Sequence, residues 1–476
     1  MKYHCAATML LMTIVFYACN PTVKRGNTLS PKQEQSVINR FHKRLADDTN
    51  LPFVVKLYPN NNILLPALQS AAVAQYDRYW VMIGGRKEGF HGTSGANPPF
   101  PSFMANDSIW VVDLNAAKVY GMSVPKDYYW GLTTSNPEFV QKGEHLYYAG
   151  GYGRSDSTAV QSNWTSDYFF TINLPKLIAL VTRTAQPTLR EVFPFVTRNA
   201  FVQITGGEIF VNGDYFYIIG GQNYTGTYFP GRTGVYTNAI RQFRLNPQAS
   251  QITDTTSYFD PVNLHRRDLN VSPIILNGEL NPLIYGGVFT PTGGAFLNNI
   301  YITGASLGKL SLNTGTVSYT CNQYSTAKAS LNYENTNVII YLGGISNQWY
   351  NPTRGHMEVG DNGIPMPFSN VISYNVLNGL AGTEYVQNPQ TGGALLPGFV
   401  GSNGNFIPNP EYLLTGYDDV LDLVKVLTAG DSVNIGCLYG GIVSMGPTSG
   451  TTPGGNVKTY ANRTLYNVFL YNTVSR

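Results

Sequence analysis

Four arginines occupy comparable places along this chain. Arg86, Arg154, Arg232 and Arg354 each lie in a stretch that follows a Gly-Gly pair, and Arg463 lies just beyond another. Guanidinium groups gathered on one face would grip a carboxylate or phosphate through forked hydrogen bonds. Glu88, Asp156 and Glu358 lie close by in sequence and would equally serve as rim partners. The same stretches hold Phe90, His91, Phe100, Phe103, Trp164, Tyr228, Trp349 and Tyr350. Aromatic faces on a polar, weakly charged rim suit stacking on sugar rings or holding a peptide, and also suit packing between loops. The candidate ligand-binding set is therefore Arg86, Arg154, Arg232, Arg354, Trp164, Tyr228, Trp349 and Tyr350.

Other chemistry is thinly represented. Past residue 18 the histidines are His42, His91, His145, His265 and His356, without metal-type spacing. There is no nucleophile elbow, phosphate-binding loop or paired-carboxylate motif, so no catalytic residue, metal or cofactor is expected. Of 476 residues only 12% are charged, and the 31 Lys and Arg are spread without a run, which argues against nucleic acid as a partner.

The elements that must position these residues are short strands. Six apolar, aromatic-rich runs end in Gly84-Gly85, Gly150-Gly151, Gly220-Gly221, Gly286-Gly287, Gly343-Gly344 and Gly440-Gly441. Repetition at this scale marks supersecondary units that bury their apolar faces by packing on one another. After each pair comes a loop, then Asn or Asp, then an alternating strand, as in Asp107-Ser-Ile-Trp-Val-Val and Asn370-Val-Ile-Ser-Tyr. A further strand follows, as in Lys118 to Val124 or Gly315 to Thr320, and an inner strand precedes each pair, as in Ala200 to Ile204 or Val271 to Leu276. Four strands per unit and six units predict an all-β fold, a six-bladed β-propeller of four-stranded antiparallel blades. The glycines read as scaffold, placed where a strand reaches the crowded centre and turns out. Asp107, Asp167, Asn238, Asn299 and Asn370 are expected to return side-chain hydrogen bonds to the loop backbone.

This pattern, Gly-Gly after an aliphatic or aromatic strand and then Asn or Asp before an alternating one, resembles the kelch repeat, whose propellers include the central domain of galactose-oxidase-like proteins. The resemblance spans residues 51–476. It implies either a binding module or a carbohydrate-active enzyme such as a sialic-acid-type sugar-acid epimerase working with rim Arg, Glu and His. The copper oxidases of this fold need a Tyr-Cys crosslink; Cys321 and Cys437 are expected on strands, away from the rim.

The chain's ends complete the reading. Residues 1–18 have the polar start and short apolar stretch of an export signal, and Ala18-Cys19 resembles the lipobox of bacterial lipoproteins, making Cys19 the expected lipidation site. Residues 19–50 read as a tether with a helix within 31–48, and 51–476 as the propeller. The final unit runs out of chain after its third strand, so Pro52 to Tyr58 is expected to supply the outer strand and close the ring. The interval before Gly440 is much the longest, and Tyr417 to Leu427 within it fits an inserted helix or a long inner hairpin. The expected role is a binding module of the bacterial cell envelope, held at the outer membrane by lipid alone, that takes glycan or protein on its loop-rich face. The alternatives are the epimerase and a structural partner in an envelope complex.

Overall fold

The computed structural model describes residues 29–46, 51, 53–92, 99–154, 163–228, 234–315, 319–360, 367–448 and 458–472. The export signal, Cys19, Asp156 and Arg232 lie outside them. Six small antiparallel sheets form a six-bladed β-propeller. From the inside outwards, blade 1 is Ala72–Tyr76, Tyr79–Ile83, Ser108–Asp113 and Lys118–Ser123. Blade 2 is Glu138–Lys142, His145–Ala149, Tyr168–Asn173 and Phe195–Arg198. Blade 3 is Thr205–Asn212, Tyr215–Asn223, Ala239–Asn246 and Gln251–Phe259, and blade 4 is Asn270–Leu276, Glu279–Tyr285, Asn299–Thr303 and Ser311–Thr314. Blade 5 is Lys328–Tyr333, Thr336–Leu342, Ile372–Asn378 and Ala381–Gln387. Blade 6 takes Phe399–Pro408, Ser432–Ser444 and Leu465–Asn472, and its outer strand is the N-terminal Phe53–Asn60.

Position in the blade explains composition. Second strands are covered on both faces by neighbouring blades, so they are near-continuous apolar runs: Trp80 to Ile83 and Val338 to Leu342 are all buried. Outer strands meet water, and Asp254, Thr255, Thr256 and Ser257 of blade 3 are exposed. Two strand assignments shift from the sequence reading. Ala200–Val202 is a 3-10 turn, because the inner strand of blade 3 begins only at Thr205. The strand paired outside Asn299–Thr303 in blade 4 is Ser311–Thr314, earlier than expected, because a 3-10 turn at Ala305–Leu307 returns the chain early.

Around the axis, six residues just before or within the first half of the inner strands form a belt. Ser70, Asn136, Gly206, Asp268, Ser325 and Asn403 all have positive φ. The Ser70 amide donates to the Asn403 carbonyl, Asn136 to Ser70, Asp268 to Gly206, Ser325 to Asp268 and Asn403 to Ser325, at 2.5–3.1 Å. Between blades 2 and 3 the link is the Thr205 hydroxyl, which donates to the Asn136 carbonyl at 3.3 Å. Satisfied backbone groups thus join blade to blade around the mouth of the channel, and Asn136 Nδ2 reaches Asp268 Oδ1 at 3.3 Å past the side-chain-free Gly206.

The opposite end is built differently. Five blades join inner to second strand by two-residue turns, at residues 77–78, 143–144, 213–214, 277–278 and 334–335. In blade 6 the same connection runs from 409 to 431 and contains the long segment singled out before Gly440. It holds both a short strand, Val420–Asp422, parallel to the inner strand of blade 5, and a helix, Leu423–Thr428. The N-terminal helix Pro31–Leu45 lies nearby and buries Val37, Ile38 and Phe41 in one core with Leu423, Val424 and Phe53. Among the described residues no helix is long and apolar enough to cross a membrane.

Candidate ligand-binding face and cleft

All twelve glycines of the Gly-Gly pairs have positive φ. At Gly150 an added Cβ would stand 2.1 Å from the Ile204 carbonyl of the next blade. The pairs are therefore scaffold in both conformation and space. The residue after each pair is fixed as well: Arg86 exchanges two backbone hydrogen bonds of 2.9 Å with Gln69 beside the belt, and bridges join Tyr152 to Ser135, Val288 to Arg267 and Ile345 to Tyr324.

In blades 1 and 3 the capping polar group sits one residue earlier than expected, and in blade 6 it is Asn462, the Asn that precedes the alternating strand. Asn106 Nδ2 donates to the Gly84 carbonyl at 2.9 Å, the Thr237 hydroxyl to Gly220 at 2.8 Å and Asn462 Nδ2 to Gly440 at 3.1 Å. Asp107 instead faces Lys87, Asp167 pairs with Arg198 at 2.9 Å, and Asn238 Oδ1 meets His265 Nδ1 at 2.7 Å. Asn299 is fully buried without a side-chain partner among the described residues. Only Asn370 of the expected five behaves as predicted, exchanging two 2.9 Å bonds with the Tyr350 backbone.

Part of this face is packed with apolar side chains. Val288, Tyr324, Ile345, Phe368 and Ile442, from blades 4, 5 and 6, form one buried cluster. Beside it His91 stacks on Phe90 at 4.6 Å and on Phe100 at 4.8 Å, with Tyr228 edge-on at 4.6 Å. Burial, with Arg86 and Arg267 close by, pushes the imidazole pKa down to about 4, so His91 is a neutral packing ring at physiological pH.

Off the axis, between blades 1 and 2, lies a cleft of about 250 Å³. Its wall includes Arg86, Phe100 and Phe103 from the blade 1 loop, Tyr129 and Trp130 from the inter-blade connection, and Arg154 and Asn163 from the blade 2 loop. Arg154 ends a short hairpin strand, Tyr152–Arg154, and lies opposite Asn163 in register. It is exposed and makes no ion pair or side-chain hydrogen bond among the described residues. Arg86 is buried, donates through Nε to Glu88 and through Nη2 to the Pro101 carbonyl at 2.7 Å, and lies 5.2 Å from the Phe100 ring. Phe103 is 71% exposed, an unusual state for so large an apolar ring.

The structure thus brings Arg86 and Arg154 together and leaves the other predicted residues elsewhere. Arg354 pairs with Glu358 at 3.1 Å on a hairpin of blade 5. On that hairpin Tyr350 is buried and Trp349 packs against Phe399 at 6.1 Å. Trp164 stands under the Arg198 guanidinium at 5.6 Å, and Tyr228 belongs to the His91 cluster. Tyr129 and Trp130 were missed by sequence reasoning, although three consecutive aromatics, Tyr128 to Trp130, in an inter-blade connection were a usable signal.

Cys321 also departs from expectation. It lies in the connection between blades 4 and 5 rather than on a strand, and is fully buried. Burial raises its thiol pKa far above the usual range and that of Cys437 to about 12, so both are protonated and unreactive. Among the described residues no group of three His, Cys, Asp or Glu is placed to hold a metal. Compared with protein-family models and with curated protein sequences, the chain matches none.

Proposed function

We propose that this is a kelch-like propeller, exported and held by a lipid on Cys19, that binds glycan through the cleft between blades 1 and 2. The observation that carries the reading is the cleft itself. Tyr129, Trp130 and Phe103 place aromatic surface beside Arg154, Asn163, Ser102 and Asp107. Flat apolar rings next to hydrogen-bonding groups match a sugar, which offers C–H faces and hydroxyl edges. The off-centre location is supported by packing: Val288, Ile345 and Ile442 are buried in one apolar cluster and offer no polar group to a sugar. Export and lipid attachment rest on residues 1–19, and the kelch-like character on the Gly-Gly pairs and their Asn or Thr caps.

A glycan array probed with the mature chain and with Trp130→Ala tests the reading. Binding to a defined glycan set that falls at least tenfold in the variant, at unchanged melting temperature, is the expected result. Binding that survives Trp130→Ala and a Phe103→Ala companion would remove the cleft from the function.

A further inference from the structure

We infer that the blade 1–2 cleft selects sugars that carry an anionic group, with Arg154 as the residue that reads the charge. The inference rests on the glycan-binding reading above and adds a ligand class to it. Charge accounting around the cleft supplies the argument. Four charged residues besides Arg154 border it or its wall, and each has a partner. Glu88 takes the Nε–H of Arg86, and Lys87 stands 4.0 Å from Asp107. Arg154 is the remaining cation and has no carboxylate partner among the described residues. Nothing within the described fold uses its guanidinium.

A second observation comes from Arg86. Its side chain is 4% exposed, and its Nε and Nη2 are occupied, while Nη1 makes no hydrogen bond among the described residues. Arg86 lines the same cleft as Arg154, and its Nη1 N–H groups are left for a ligand there. A carboxylate or sulfate on a bound sugar would engage both: forked bonds from exposed Arg154 and one bond from buried Arg86. The aromatic side of the cleft, Tyr129 and Trp130, would meanwhile hold the ring that carries the group, since their centroids lie 4.9 Å apart edge to face and form one corner.

The neighbouring loops show why this cleft differs from its equivalents. In blade 5 the corresponding arginine, Arg354, is bound by Glu358 four residues on. In blade 4 the buried Arg266 is fully used, donating to the Asn263 and Gly286 carbonyls and to Asn298, with the Phe296 ring 3.8 Å away. Only the blade 1–2 cleft combines a guanidinium without a carboxylate, a buried guanidinium with a spare donor, and open aromatic surface, among the described residues.

Calorimetric titration with three oligosaccharides of equal length tests this: a tetragalacturonate, a sulfated galactan tetramer and a neutral galactan tetramer, in low and moderate salt. The expected result is preference for at least one anionic oligomer over the neutral one, weakening with salt. Arg154→Ala should cut that affinity about ten- to a hundredfold and Arg154→Lys by less, the neutral oligomer being unaffected. The two anionic arms distinguish carboxylate from sulfate. Arg154 is exposed, so both variants should fold with unchanged melting temperature. If the neutral oligomer binds as tightly as both anionic ones, or Arg154→Ala binds the anionic oligomer undiminished, the inference is overturned. In that case a Trp130→Ala loss would leave the glycan reading standing. Failure of all three oligomers to bind at millimolar concentration, with a glycan array also blank, would overturn both.

Discussion

The Asp418 carboxylate accepts a 2.8 Å hydrogen bond from the Gly143 amide, joining the blade 6 insertion to the hairpin turn of blade 2. Between these points the insertion also pairs Val420, Leu421 and Asp422 with Ser330, Leu331 and Asn332 of blade 5. Blades 2 and 5 face each other across a ring of six, so residues 409–422 cross the end of the channel away from the Gly-Gly face. The channel, about 340 Å³, is bordered by the belt at one end and by Leu413, Asp418 and Asp419 at the other. Asp419 remains accessible to solvent there, and the enclosing wall together with neighbouring Asp418 pushes its carboxyl up to about 6. Because Asp418 is exposed, its bond is worth about 1 kcal/mol. Asp418→Ala should leave the melting temperature within a few degrees of wild type and speed hydrogen exchange at the Gly143 amide at least tenfold. Unchanged exchange at Gly143 would mean that the crossing is held elsewhere.

Inside the channel, Lys328 Nζ of blade 5 meets Glu208 Oε1 of blade 3 at 2.6 Å. Both side chains retain about a quarter of their exposure, so solvent screens the pair and the interaction is modest. Removing one partner costs more than removing both, because a lone charge is left among the inner strands. Lys328→Met should therefore destabilise by about 1–2 kcal/mol, and Glu208→Gln/Lys328→Met should recover most of that loss. Urea titration of the four proteins measures the coupling. Additive single changes would show that the two groups act independently.

A buried acid sets the pH dependence. Glu138, 1% exposed, begins the inner strand of blade 2, and its Oε1 accepts the Gly207 amide of blade 3 at 3.0 Å. Burial outweighs that bond and holds the carboxyl well above its ordinary 4.5. In the unfolded chain Glu138 ionises near 4.5 while in the fold it stays protonated. The unfolded state thus binds fewer protons, and stability is fully present below 4.5 and lost as pH rises towards the folded value. Glu138→Gln keeps an acceptor for Gly207 and removes the proton. The variant should match wild type near pH 4 and exceed it at pH 8, with a flatter profile between, in urea unfolding. Equal slopes for the two proteins would assign the pH dependence to other groups.

Much of the architecture was legible because its signals are repeated and local. Apolar runs ending in Gly-Gly report strands covered on both faces that turn out with positive φ, and six in order leave little alternative to a ring. Closure was legible by subtraction, since the last unit lacked an outer strand and Phe53 to Tyr58 had no other place. The belt was not legible. Ser70, Asn136, Gly206, Asp268, Ser325 and Asn403 share only small size and a tolerance for positive φ, and their bonds join residues a whole blade apart. The cleft was half legible. Arg86 and Arg154 were marked by their place after Gly-Gly, but an acidic residue lies close in sequence to Arg86, Arg154 and Arg354 alike, so Arg354, bound to Glu358, looked equivalent to Arg154. Aromatic rings misled for a related reason: Tyr350 and Tyr228 have loop positions but core surroundings.

Ring closure yields the sharpest stability test. Phe53–Asn60 pairs residue for residue with Leu465–Asn472, and its inward ring, Phe53, is fully buried 4.9 Å from Tyr374 of blade 5. On the strand's far edge the Gln387 side chain imitates a partner strand. Its Oε1 accepts the Val55 amide at 2.8 Å and its Nε2 donates to the Val55 carbonyl at 2.7 Å. Gln387 is itself the last residue of blade 5's outer strand, so this amide also ties blade 5 to the closing blade. Phe53→Ala creates a cavity in the core shared with Phe41 and should cost about 3–5 kcal/mol. Gln387→Leu preserves bulk but strands two buried backbone groups, for a loss of about 2–4 kcal/mol. Gln387→Glu tests the same geometry differently: its carboxylate still accepts the Val55 amide yet repels the carbonyl, so it should fall below wild type at pH 8 and recover on acidification. Chemical unfolding of the three variants decides the matter. Wild-type stability in Gln387→Leu would show that the ring is closed by the Phe53–Asn60 ladder alone.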